Sequence, residues 1–144
     1  MRKIFVDTDV CMDLLSGRNP FHKAAEKLFS LAENGKIKIC VSALSFATID
    51  YVLSGNYPSA HSRQVLSKFK TLVQVLSLQE KTIELALVSD FNDFEDAIQY
   101  CCAIEHNIHT LITRNVKDYK KASIRILTPE SFLTLEGIGL GSQT

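Results

Sequence analysis

The sequence predicts an α/β fold in which a mainly parallel sheet carries helices on its faces. Short apolar runs alternate with helix-period segments from one end to the other, the pattern of parallel strands joined by helical crossovers. At 144 residues the chain suits one domain, large enough to bury about two-thirds of the surface of its unfolded form. The first apolar run, Ile4-Phe5-Val6, ends on Asp7 as the chain turns into a helix, which is where open α/β sheets build their active sites.

The elements follow in order. Residues 4–7 form the first strand, and a short helix over 10–15 stops at Ser16-Gly17, where glycine accepts a left-handed cap. Asn19-Pro20 opens a second helix whose Phe21, Ala24, Ala25, Leu28 and Ala32 recur at helical spacing, and Asn34-Gly35 ends it. Residues 37–41 are the second strand. Ser42 is expected to cap a helix over 43–54, and Pro58 starts a more polar one reaching Lys70; these two are expected to form an arm rather than a layer. A short β-branched strand at 73–76 leads to a helix over 80–88, then to the acidic stretch 89–96 and the helix it opens. Residues 108–112 and 124–127 are the last strands, with a helical turn at 115–119 between them, and Thr128-Pro129 begins a final helix. The domain is expected to span 1–136, with 137–144, rich in glycine, as a disordered tail.

Sixteen basic and sixteen acidic residues cancel, so bulk attraction to a phosphate backbone is excluded and any such contact needs a local basic patch or bound metal ions. The four cysteines show neither a C-x-x-C pair nor a histidine at zinc-ligand spacing and read as reduced, mostly buried thiols. The apolar run behind the charged first residues is too short for a signal peptide, and no stretch has the length of a membrane span. A cytoplasmic protein with no membrane role is expected.

Chemistry is concentrated in three acids. Asp7, Asp96 in DFEDA and Asp118 in TRNVKDY stand at comparable strand-loop-helix positions, and carboxylates gathered from distant segments suggest a site for a hard cation such as Mg²⁺ or Mn²⁺. A rival reading accompanies each. Asp93 and Asp96 have the spacing of an N-cap and its N3 residue, Asn115 and Asp118 repeat it, Asp9 reads as a cap of its own helix, and Asp13 as part of a solvated face. Asp7 differs because it follows a buried-type strand, where an unpaired carboxylate is costly and needs a partner.

IFVDTDV with Asp13 beyond it, VSALSFA, DFEDAIQYCCA and TLITRNVKDY occur in the order found in PIN domains, so the first 130 or so residues resemble that metal-dependent nuclease family, which includes VapC-type toxins. The resemblance implies a PIN-like three-layer α/β/α sandwich around a sheet of four to five strands. It implies Asp7, Asp96 and Asp118 as metal ligands and catalytic acids, with Thr8, Thr113 and Asn115 in support; Asp93, from its nearness to Asp96, is expected to orient that ligand. The family pattern departs at two positions. Its usual Asn two residues after the first acid is Asp9 here, and the Glu expected six residues after Ser42 is Thr48. Asp50 points away from the face of Thr48. Ser45 shares that face and, with Thr48, offers hydroxyls to a metal-bound water.

Arg114 and Lys117, with Lys120 and Lys121, cluster near Asp118 and are expected to meet a phosphate backbone, a solvated basic face being the plainer alternative. The leading expectation is a Mg²⁺- or Mn²⁺-dependent endoribonuclease that hydrolyses single-stranded RNA. If it is a toxin, the resemblance implies an antitoxin protein as partner and a homodimer formed through the arm helices. A second reading is a PIN-like scaffold with weakened catalysis that binds RNA or protein, resting on Thr48. A third takes Asp7-Thr8-Asp9 as the D-x-D of a haloacid-dehalogenase-like phosphatase, against which Cys11 stands where that family has Thr.

Overall fold

The computed structural model describes residues 1–138. Five parallel strands form one sheet in the order β3-β2-β1-β4-β5, where β1 is Lys3–Val6, β2 Lys38–Ser42, β3 Gln74–Leu76, β4 Thr110–Ile112 and β5 Arg125–Leu127. From β1 the chain builds outward through β2 to β3, then crosses back to lay β4 on the other side of β1. The direction of winding therefore reverses between β1 and β4, and the crevice outside their carboxyl ends is where such sheets hold ligands.

The helices are α1 (Thr8–Ser16), α2 (His22–Glu33), α3 (Ala43–Ser54), α4 (Ser59–Lys70), α5 (Glu80–Leu87), α6 (Phe94–Glu105) and α7 (Pro129–Leu135), with a 3-10 turn at Val116–Tyr119. Strand periodicity sends neighbouring residues to opposite faces. Ile4 and Val6 face α1, α2 and α7 in a core that also holds Ile39, Val41, Leu28, Phe29 and Phe132, while Phe5 faces Cys102, Ala103, Leu111 and Tyr119 on the side of α6. A smaller cluster of Ala86, Ala97, Ile98 and Cys101 seals α5 to α6. The result is the three-layer sandwich expected.

Boundaries shift by one to three residues from those predicted: β1 ends at Val6 so that Asp7 can cap α1, and α1 starts at Thr8. Gly17 takes the left-handed cap at φ 61°. The arm expectation is corrected by Phe69. This α4 residue is buried and packs against Phe29 and Phe46 at ring-centroid distances of 5.7 and 5.6 Å, so the second half of α4 belongs to the layer covering the sheet. Ser42 opens α3 without a side-chain cap bond, because its hydroxyl donates to Gln99 Oε1 at 2.7 Å instead. Of the expected tail, Gly137 at φ 80° and Ile138 close the end of α7, the Ile138 N–H donating to Leu133 O at 2.9 Å, and residues 139–144 lie outside those described. All four cysteines are free and buried. Among the described residues no helix is long and apolar enough to cross a membrane.

Candidate active site

Asp7 sits at the point where the winding reverses. Its backbone N–H donates to Ile112 O at 2.9 Å, which extends the β1–β4 pairing to the very edge of the crevice. Its Oδ1 accepts the Thr8 N–H at 2.7 Å, the N-cap bond of α1. Its Oδ2 accepts the hydroxyls of Thr113 and Tyr119, each at 2.9 Å. Only 7% of the residue is exposed. Burial, reinforced by the neighbouring charge of Asp9, pushes its pKa up to about 6 against the opposing hydrogen bonds of Thr113, Tyr119 and Thr8. The partner that a buried carboxylate requires is thus supplied by one N–H and two hydroxyls.

Asp93 caps α6, accepting the Asp96 N–H at 3.0 Å, so Asp96 occupies N3 as the DFED spacing predicts. The cap turns the Asp96 side chain toward β1. Its Oδ1 lies 3.4 Å from the Tyr119 hydroxyl, the same hydroxyl that reaches Asp7. The Asp96 pKa rises to about 7, first through burial and then through the charges of Asp7, Asp93 and Asp118. Asp118 is exposed on the 3-10 turn and shares with Asp96 a cleft of about 330 Å³, whose other lining residues include Phe91, Asp93, Lys117, Lys120 and Lys121.

The fold therefore brings Asp7, Asp96 and Asp118 to one crevice, although among the described residues no three His, Cys, Asp or Glu side chains stand close enough together to hold a metal ion. The chemistry of the donors fits a hard divalent cation. They are carboxylate oxygens, the charges of Asp7 and Asp118 add to burial in raising the proton affinity of Asp96, and Arg18 and Arg114 are engaged by Asp13.

Asp13 corrects a sequence expectation. It is 1% exposed rather than on a solvated face, and its Oδ2 lies 2.7 Å from Arg114 Nε, with Arg18 at 4.0 Å from Oδ1. Burial raises its pKa, and the Arg114 charge opposes the shift. Arg114, expected to meet phosphate, instead places its guanidinium between this carboxylate and the ring of Phe21, 3.9 Å from the ring centroid. Lys117 remains at the cleft. Asp9 does not cap its helix; its Oδ2 gathers the Arg114 N–H and the Asn115 Nδ2, both at 3.2 Å, and thereby fixes the loop that follows β4. Asn115 forms no side-chain cap and serves this contact instead.

Beside Asp7 lies a closed polar cluster. Gln99 Nε2 donates to Thr8 Oγ1 and Ser45 Oγ, each at 3.0 Å, Gln99 Oε1 accepts from Ser42, and the Thr8 and Ser45 hydroxyls are 2.8 Å apart. Gln99, Ser42 and Ser45 are fully buried, so Ser45 is occupied in locking α3 to α6 rather than presented to a metal-bound water. Thr48 donates to Glu95 Oε2 at 3.1 Å, which tethers α3 to the first turn of α6. Sequence reasoning missed Gln99 and Tyr119. Gln99 lies three residues beyond Asp96 on the same helix face, a signal that was available; Tyr119 was placed only at the end of the helical turn over 115–119.

The sequence matches the family described as PIN domain over residues 3–117. It is 30% identical over 138 residues to Ribonuclease VapC1 of Aquifex aeolicus (strain VF5), the alignment covering 90% of this chain and 92% of that one. Among solved structures, a toxin-antitoxin complex from Klebsiella pneumoniae superposes with a TM-score of 0.67 at 22% identity, covering 88% of this chain and 97% of that one. Mycobacterium tuberculosis VapC20, described as a Sarcin-Ricin loop cleaving toxin, gives 0.60 at 18%, covering 75% and 86%. These two likenesses speak for the fold, and the curated relative with the family match speaks for descent.

Proposed function

Because this chain belongs to the PIN-domain family, we propose that it is a divalent-metal-dependent ribonuclease that hydrolyses phosphodiesters of single-stranded RNA, and the toxin of a toxin-antitoxin pair. The observation that carries this reading is the sharing of one hydroxyl by Asp7 and Asp96 where the sheet winding reverses, with Asp118 in the same cleft as Asp96. These three carboxylates would hold Mg²⁺ or Mn²⁺. When bound, such an ion lowers the pKa of a water and offsets charge on the phosphate under attack.

The chain's own residues set the stage for that chemistry. Thr8 fixes Asp7 through its N–H, Thr113 fixes it through its hydroxyl, and Asp93 orients Asp96 by capping α6. Asn115, held by Asp9, keeps the loop carrying Lys117 and Asp118 against the site. Lys117, Lys120 and Lys121 line the cleft near the acids and supply the local positive charge that a neutral chain otherwise lacks for a phosphate backbone. Family membership and the relation to Ribonuclease VapC1 favour the nuclease over a scaffold or a dehalogenase-like phosphatase. The toxin-antitoxin likeness supports an antitoxin protein as partner, and Tyr51 and Tyr57, 82% and 50% exposed on and just after α3, support a homodimer through α3 and α4. Action in the cytoplasm follows from an RNA substrate.

An RNA cleavage assay with Mn²⁺ tests the proposal on the wild type and on Asp7→Asn. Cleavage by the wild type and a loss of 100-fold or more in the variant, as expected for a lost ligand, on the order of 3 kcal/mol in the barrier, support it. Equal activity in both would sink the mechanism.

A further inference from the structure

We propose that Tyr119 is a positioning residue whose hydroxyl ties Asp7 to Asp96 and sets the affinity of the site for its divalent cation. The inference rests on the reading of those two acids as ligands and goes beyond it, because no motif assigned Tyr119 a role.

Tyr119 is 1% exposed, and its ring is fixed by an edge contact with Phe91 at 5.7 Å and by the core cluster around Leu111 and Cys102. A phenylalanine would fill that space equally well. A buried hydroxyl, by contrast, is unfavourable unless hydrogen-bonded, and the partners of this one are Asp7 Oδ2 at 2.9 Å and Asp96 Oδ1 at 3.4 Å. One hydroxyl holds one proton, so it donates to one carboxylate at a time while keeping both within the span of two hydrogen bonds.

The two acids depend on it unequally. Asp7 keeps the Thr8 N–H and the Thr113 hydroxyl if the phenol is lost. Among the described residues, Tyr119 is the side-chain donor that Asp96 has. Removing the hydroxyl therefore leaves Asp7 in place and frees the Asp96 carboxylate to turn away from it, driven by their mutual repulsion. A cation that needs both would then have to reassemble the pair on binding, and loss of such an outer hydrogen bond to a ligand weakens metal affinity by roughly 10–100-fold.

Calorimetric titration with Mn²⁺ of the wild type, Tyr119→Phe and Thr113→Val tests the assignment, alongside thermal melts without cation. Tyr119→Phe is expected to raise the Mn²⁺ dissociation constant by about 10-fold or more with its cation-free melting temperature near that of the wild type. Thr113→Val, which removes a hydroxyl from Asp7 but leaves Asp96 tied, is expected to cost less. A lower melting temperature for Tyr119→Phe with unchanged Mn²⁺ affinity would assign the residue to packing and overturn the role, as would a larger loss in Thr113→Val than in Tyr119→Phe. Absence of Mn²⁺ binding in the wild type would overturn the ligand reading together with the Tyr119 role, whereas wild-type binding matched by Tyr119→Phe would overturn the Tyr119 role alone.

Discussion

The ion pair between Asp13 and Arg114 gives that arginine a structural task that the local sequence does not announce. Arg114 adjoins Thr113 and precedes Asn115, so its charge reads as part of a phosphate-binding rim; in the folded chain it is the counter-charge of a carboxylate 1% exposed on α1. Arg114→Met removes the guanidinium from over the Phe21 ring and leaves Asp13 buried with Arg18 at 4.0 Å as its remaining partner. It should lose about 3 kcal/mol of stability, the usual cost of breaking a buried pair, read as a lower urea midpoint. An unchanged midpoint accompanied by weaker RNA binding would return Arg114 to the substrate. That Asp7 is buried at a strand end and needs partners was legible, because a carboxylate placed there after an apolar run cannot stay unpaired. Asp13 and Gln99 were not, because which face of a helix is buried depends on neighbours that the local sequence does not name.

At the scale of elements, α6 was the most legible and α3 and α4 the least. DFED states its own cap: Asp93 accepts the Asp96 N–H at 3.0 Å, and the same bond that starts the helix aims Asp96 at the crevice. Asp93→Ala should therefore cost about 1 kcal/mol of stability and also lower cleavage, while Asp93→Asn, which keeps an accepting oxygen, should retain most of the stability. Urea titrations of the two variants check this, and equal destabilisation by both would mean that the charge rather than the cap matters. The start of α3 misled because Ser42 has the composition of a cap but its hydroxyl is committed to Gln99, 57 positions along the chain. The arm misled because α4 is polar along most of its length, yet Phe69, with Val65 and Leu66 packed beside it, seats its end on the core.

For the whole molecule, alternation of strand and helix was sufficient to specify parallel layers, and the place where the winding reverses concentrates acids that the fold alone leaves in conflict. That conflict has a measurable consequence for pH. Burial first, and neighbouring carboxylate charge second, push Asp7 up to about 6 and Asp96 up to about 7 in the folded chain, both above the ordinary 3.8, so between those limits the native state binds more protons than the unfolded one. Stability of the cation-free protein must then fall as pH rises through this window, being fullest below the unfolded value and lost above the folded ones. Asp9 and Asp13, whose pKa values burial also raises, act in the same sense. A decline of about 1–3 kcal/mol between pH 5 and 8 is expected, the Asp96 share being reduced because that group is partly solvated. Asp7→Asn should flatten the slope, since an amide cannot take up the proton. A divalent cation that replaces those protons should raise the melting temperature more at pH 8 than at pH 5, where protons already occupy the carboxylates. Thermal melts across that range, with and without Mn²⁺, read both effects; a cation-free protein that grows more stable from pH 5 to 8 would show that burial and neighbouring charge do not disfavour the ionised acids, and the case for a cation site would lose its physical basis.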